Sequence, residues 1–254
     1  MIMDRDKAKA AFEEYTNRYD STEIRVRLKI DHTYRVADIA ERIAKSIAAD
    51  ADLAWLLGLL HDIGRFEQLK RYGTFKDAES VDHAELGADI LFGEEMLMRA
   101  FPGFTHDGYE KIAETAIRAH NKLVIPEGLD ETTVMYCNIL RDADKIDIFR
   151  VLTEPPYDER NKLVDTLTAP AREEVMEYVR AHRCLPGKME KNMFENWIAK
   201  CCFAFELVYD ESIAITREQG YFDVIFKHDM KDMRLKAQYD ELEKELAKKM
   251  KIKY

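Results

Sequence analysis

The chain has 254 residues, a net charge of −10 and a hydrophobic fraction of 46%. This length can bury one substantial core, with or without an extension. No apolar run approaches the roughly 18 residues that cross a membrane, and the N-terminus lacks the apolar core of a signal peptide. No basic tract offers the clustered charge that general nucleic-acid binding needs. We therefore expect a cytoplasmic protein without membrane or general nucleic-acid partners, while a small anionic substrate stays compatible with the charge.

The predicted elements are helical along the whole chain. Glycines (10) and prolines (6) are few, and Glu, Lys, Ala and Leu recur at helical spacing. This pattern predicts an all-α fold. The predicted helices, in chain order, cover residues 4–19, 21–48 with a break near Asp31 left open, 53–61, 82–92, 109–121, 132–151, 172–181, 191–212 and 229–249.

The third predicted helix ends in a polar pair that carries most of the functional signal. Residues 53–60 are almost all apolar, and His61-Asp62 follow them directly. A helix with apolar faces all round is buried, and burying a polar pair at its end is costly unless something binds both groups. Imidazole and carboxylate are both ligands for divalent ions. The stretch therefore indicates a metal site.

Two further His-Asp pairs occur in different surroundings. His106-Asp107 lies between glycines in a predicted loop, and His228-Asp229 lies among charged residues. We interpret both pairs, and His182, as structural. Only His61-Asp62 ends a hydrophobic segment.

The clearest boundary in the sequence is Glu154-Pro155-Pro156, because paired prolines cannot continue a helix. We predict one domain over residues 1–153 and a helical C-terminal extension over residues 154–254, packed on the core. The apolar face of residues 193–208 is typical of a core rather than of a cofactor site. The four cysteines have no CxxC spacing and indicate reduced thiols.

The ordered set His32, His61-Asp62 and Asp144 resembles the H…HD…D signature of HD-domain metal-dependent phosphohydrolases. The supporting stretches are Asp31-His-Thr-Tyr-Arg-Val-Ala, Leu59-Leu-His-Asp-Ile-Gly and Ala143-Asp-Lys-Ile-Asp147. The resemblance covers roughly residues 25 to 150. It implies an HD-domain helical bundle in which His32, His61, Asp62 and Asp144 bind a divalent metal.

His83 and His120 look like the second-metal ligands of related two-metal proteins, since both lie between the central His-Asp pair and the last aspartate. The resemblance therefore implies one or two ions. His120 is followed by Asn-Lys and no Gly-Tyr-Pro element follows, which sets the chain apart from the cyclic-di-GMP phosphodiesterase branch.

Phosphate-ester hydrolysis needs a strong nucleophile and positive charge around the phosphoryl oxygens. The mixed ligands suit Mn, Fe, Co, Ni or Zn, and Mg is compatible. We expect Asp62 to act as ligand and proton acceptor, and Arg65 and Lys145 to stabilise transition-state charge. Lys122 is a weaker candidate for substrate contact. The sequence does not decide whether Glu67 or Asp142 takes part.

The primary hypothesis is a metal-dependent phosphomonoesterase or phosphodiesterase that uses a metal-activated water on a nucleotide or similar small phosphorylated metabolite. Two alternatives remain. An HD-fold di-iron oxygenase would use ligands in the same order, and a non-catalytic nucleotide-sensing module would bind without turnover. The charged C-terminal helix would suit a homodimer contact. Loops over residues 66–81 and 101–108 are expected to determine specificity.

Overall fold

The computed structural model describes residues 4–93, 97–101, 109–153, 169–227, 230 and 232–250. All regular secondary structure in these residues is helical, which confirms the all-α prediction. No helix in these ranges has the length and apolarity to span a membrane. The Glu154-Pro155-Pro156 boundary and the pairs His106-Asp107 and His228-Asp229 lie outside the described residues.

The chain divides into two compact units, Met1–Asp144 and Lys145–Tyr254. Our division after residue 153 stays a prediction. The described α-helices are α1 (Arg5–Thr16), α2 (Ile24–Ser46), α3 (Ala51–Leu60), α4 (Ile63–Tyr72), α5 (His83–Phe92), α6 (Tyr109–Ala119), α7 (Glu131–Thr153), α8 (Glu173–Arg180), α9 (Met193–Cys201), α10 (Asp210–Gln219), α11 (Tyr221–Ile225) and α12 (Met233–Lys249). Short 3-10 turns cover Asp77–Glu79, Leu97–Ala100 and Cys202–Glu206.

The core of the first unit is built on α3. Every residue of α3 from Leu53 onward is buried, as expected for a helix without a polar face. Its close partner is α2, and Gly58 makes the approach possible. A Cβ at Gly58 would lie 2.5 Å from the Cα of Ala37. The helix that carries His32 and the helix that ends just before His61 therefore meet backbone to backbone.

A second close approach joins α4 to α5. A Cβ at Gly64 would lie 2.3 Å from the carbonyl oxygen of His83 and 2.6 Å from the amide nitrogen of Gly87. The lack of a side chain at Gly64 lets the start of α5 lie against the start of α4. As a result, His83 lies beside Asp62.

The structure corrects three of the predicted elements. The helix predicted over residues 21–48 is continuous from Ile24 to Ser46, without a break at the exposed Asp31. Residues 66–81 are not simply a loop, because α4 extends to Tyr72 with Ile63, Phe66 and Leu69 on its buried face. In the second unit, the helix predicted over residues 191–212 ends at Cys201, and α10 begins at Asp210. Acidic residues in the first turn of α10 favour that new start.

The second unit has its own core. Within it, α12 contacts α8 and the turn Cys202–Glu206, and Trp197 of α9 stacks on Tyr239 at 5.3 Å. The side chains of the 193–208 face are largely buried, as predicted, apart from Met193 and Val208. Cys137, Cys184, Cys201 and Cys202 are buried free thiols.

Candidate metal centre

The first half of the candidate centre comes from buried helices of the first unit. His32 lies on α2, Asp144 lies on α7, and His61 directly follows α3. His61 is fully buried, and His32 and Asp62 are 6% and 2% exposed. Such burial of polar groups requires compensating partners. Three helices thus bring these polar side chains to one point.

The donor atoms of this half lie at the spacing expected around an ion. His32 Nε2 lies 3.4 Å from Asp62 Oδ2 and 3.2 Å from Asp144 Oδ1. His61 Nε2 lies 3.3 Å from Asp62 Oδ2 and 3.7 Å from Asp144 Oδ1. Two atoms that each lie about 2.1 Å from one ion are roughly 3.0 to 3.4 Å apart at right or tetrahedral angles.

The second half comes from two helix ends. His83 is the first residue of α5, and His120 follows the last residue of α6; both are 4% exposed. Their Nε2 atoms lie 3.5 and 3.9 Å from Asp62 Oδ1. A solvated helix-start position for His83 is therefore excluded, and both imidazoles face the same carboxylate.

Asp62 connects the two halves through separate oxygens. Its Oδ2 faces His32 and His61, whereas its Oδ1 faces His83 and His120. Asp62 belongs to one ligand grouping within 4.8 Å with each histidine pair, and a further grouping joins His61, His120 and Asp144 across the two halves. This arrangement fits a carboxylate that is shared between two adjacent metal subsites.

The surroundings of His61 favour a positive charge at the first subsite. Its Nδ1 lies 2.7 Å from the carbonyl oxygen of Gly58 and must donate to it, because a carbonyl only accepts. Its buried Nε2 makes no hydrogen bond among the described residues. Burial alone would lower the pKa of His61, but the carboxylates of Asp62 and Asp144 raise it to about 10. The position opposite Nε2 therefore attracts positive charge, as a proton or as a metal ion.

The surroundings of His83 and His120 also favour a bound cation. His83 Nδ1 lies 2.7 Å from Asp77 Oδ2, and His120 Nδ1 lies 2.7 Å from the carbonyl oxygen of Ile117. Both rings donate there, so each Nε2 of a neutral ring presents a lone pair. Burial lowers the pKa of His83 and lowers that of His120 to about 3. Two lone pairs then face each other at 3.0 Å, a repulsion that a shared cation would remove.

The predicted cations occupy different positions. Arg65 Nε lies 3.5 Å from Asp62 Oδ1, so this side chain borders the centre. The ammonium of Lys145, in the second unit, pairs with Glu206, and Lys122 pairs with Asp82 and Glu85. The sequence analysis missed Lys29, whose ammonium pairs with Asp62 Oδ2. Lys29 lies three residues before His32 on α2, so the two side chains share one face of the helix. This spacing is the sequence signal that could have placed Lys29 near the site.

The undecided carboxylates also have defined surroundings. Glu67 accepts hydrogen bonds from Arg71 and Tyr19, so its oxygens are already engaged. Asp142 and Asp147 are buried, each 1% exposed. His182 pairs with Glu245 at 2.9 Å in the second unit, in keeping with a structural role.

The donor set as a whole fits one or two divalent ions. It combines imidazole Nε2 atoms with carboxylate oxygens, a mixture that suits transition metals. The buried, unbonded His61 Nε2 and the facing lone pairs of His83 and His120 are the structural observations that favour this assignment.

Comparison with known proteins agrees with this geometry. Residues 30–148 match the family model described as HD domain. This range contains every residue proposed as a ligand. Searches of the curated proteins and of the solved structures returned no match.

Proposed function

Residues 30–148 form an HD domain, the fold of a superfamily of metal-dependent hydrolases, and from this we propose that the protein is a metal-dependent phosphohydrolase. Its substrate class is a nucleotide or similar small phosphorylated metabolite. The observation that carries the proposal is the division of the Asp62 oxygens between two histidine pairs. That arrangement suits a site that holds two cations beside one phosphoryl group.

A divalent ion bound at this site would lower the pKa of a water molecule and polarise the phosphoryl group. The chain's own residues supply the rest. His32, His61 and Asp144 orient one side of the centre, and Asp62 connects it to the other. The buried wall of α3 excludes bulk water from behind His61.

Arg65 and Lys29 would bind the phosphoryl oxygens. Arg65 Nη1 is anchored by Gln68, by the carbonyl oxygen of Phe75 and by Asp77. Its Nη2 makes no hydrogen bond within the described residues, which leaves that donor available for substrate. The Phe75 ring lies 5.9 Å from Lys29 Nζ and 5.8 Å from Arg65 Cζ, so both cations border one aromatic surface.

The test combines metal analysis with phosphate release. Purified protein loaded with Mn²⁺ should release inorganic phosphate from a panel of nucleotides under anaerobic conditions. His61→Ala and Asp62→Ala should each lower the rate at least about 100-fold and reduce bound metal, because each removes a buried ligand. His182→Ala is the matched control, since this histidine lies outside the HD domain and pairs with Glu245.

Three results would contradict the proposal. Full activity of His61→Ala would exclude His61 as a necessary ligand. Metal binding without turnover of any phosphate ester would favour a sensing module. Oxygen consumption by the iron-loaded protein, without anaerobic phosphate release, would favour a di-iron oxygenase.

A further inference from the structure

The ligand histidines are held in place by different means. His61 and His120 each donate from Nδ1 to the backbone carbonyl oxygen three residues earlier in the chain. His83 is the first residue of α5, and its Nδ1 donates to the carboxylate of Asp77 instead. The orientation of His83 therefore depends on a side-chain hydrogen bond.

Asp77, in the 3-10 turn Asp77–Glu79, accepts this hydrogen bond from His83. Its Oδ2 accepts from His83 Nδ1 at 2.7 Å and from Asn121 Nδ2 at 3.3 Å. Its Oδ1 accepts from Arg65 Nη1 and Gln68 Nε2, both at 2.9 Å. Four donors from three parts of the first unit thus converge on one carboxylate.

We propose that Asp77 is the positioning residue of the second metal subsite: it fixes the ring orientation of His83 and keeps His83 Nε2 directed at Asp62. The inference rests on the proposed function for the existence of that subsite. A carboxylate behind a ligating histidine fixes the tautomer of the ring and increases its basicity. Arg65 and Gln68 fix the carboxylate itself through its other oxygen, so the orientation is determined from both sides.

Asparagine is the informative substitution because it keeps the shape of the side chain. Its amide has one accepting oxygen and an NH₂ group that only donates. With four donors around it, the asparagine side chain cannot accept hydrogen bonds on both sides. Asp77→Asn therefore removes either the contact with His83 or the contacts that hold the turn.

The experiment titrates the metal-free full-length chain with Mn²⁺ by calorimetry and counts bound ions by mass spectrometry. Wild type should bind two ions. Asp77→Asn should bind the first ion as wild type does and the second about 10- to 100-fold more weakly. Glu79→Gln is the matched control, since Glu79 lies in the same turn, is exposed and pairs with Lys76 at 2.9 Å. His83→Ala should lose the second ion, and circular dichroism should show all variants folded.

The outcomes separate the two proposals. A wild-type chain that binds no Mn²⁺ would overturn the proposed function. A wild-type chain that binds two ions, with an identical titration for Asp77→Asn, would overturn only the role of Asp77. Uptake of a single ion by wild type, or equal weakening of both ions in Asp77→Asn, would also overturn the inference.

Discussion

Lys29 illustrates how much of the site depends on individual residues that have no motif of their own. Its ammonium pairs with Asp62 Oδ2 while its side chain remains 21% exposed. Cations bound at Asp62 would share its charge, and the ammonium of Lys29 would then be able to turn to a substrate oxygen. The signature residues were predictable because their types and order are specific, whereas Lys29 and Asp77 became apparent only from their contacts.

Lys29→Ala should raise the KM for a phosphate ester by about 10- to 100-fold, the size of one lost hydrogen bond to a charged group. Metal content should not fall, because removing a neighbouring positive charge favours cation binding at Asp62. Steady-state kinetics with parallel metal analysis would measure both. Lys76→Ala is the control, since Lys76 is exposed and pairs with Glu79 at 2.9 Å. An unchanged KM would exclude Lys29 from substrate binding.

At the scale of elements, the sequence predicted the helices whose apolar spacing is regular and missed those determined by tertiary contacts. Most of α4 lies within residues 66–81, which the sequence analysis assigns to a loop. Gly64 is required there by the close carbonyl of His83, a reason that no local pattern contains. Likewise, the end of α9 at Cys201 could not be predicted from an apolar face that continues to Phe205.

Gly64→Ala should lower the free energy of unfolding by about 1–3 kcal/mol, since the added methyl group has no room between α4 and α5. It should also weaken metal binding, because His83 moves away from Asp62. Urea unfolding and Mn²⁺ titration would measure these effects.

The control for that substitution is Gly73→Asn. Gly73 has a φ of +68° with nothing within 4 Å of a built Cβ, and asparagine tolerates this left-handed conformation better than most residues. The control should therefore keep wild-type metal affinity. A Gly64→Ala variant as stable as wild type would contradict the prediction, because it would show that α4 and α5 can move apart without a loss of unfolding free energy.

For the whole molecule, every candidate ligand lies in the unit Met1–Asp144. Metal binding should therefore raise the stability of that unit. Mn²⁺ at about 100 times its Kd should stabilise that unit by roughly 2.7 kcal/mol for each ion bound. At about 2–4 °C per kcal/mol, each bound ion should raise the unfolding temperature by about 5–10 °C.

The two tryptophans allow this shift to be assigned to a unit. Trp55 lies in the first unit and Trp197 in the second. In Trp197→Phe, fluorescence unfolding follows Trp55 and should show the full shift with Mn²⁺. The same shift in a Trp197→Phe variant that also carries Asp62→Ala would mean that the ion binds elsewhere.

The shared carboxylate of Asp62 has a consequence for how such a protein can change by mutation. Loss of His83 affects one oxygen of Asp62 and leaves the subsite at His32, His61 and Asp144 with its own ligands. Loss of Asp62 affects both at once. A two-ion ancestor can therefore pass to a one-ion descendant through a single change at His83, and such a step is reversible. No single change at position 62 offers that route, so this aspartate should persist through any change of metal number.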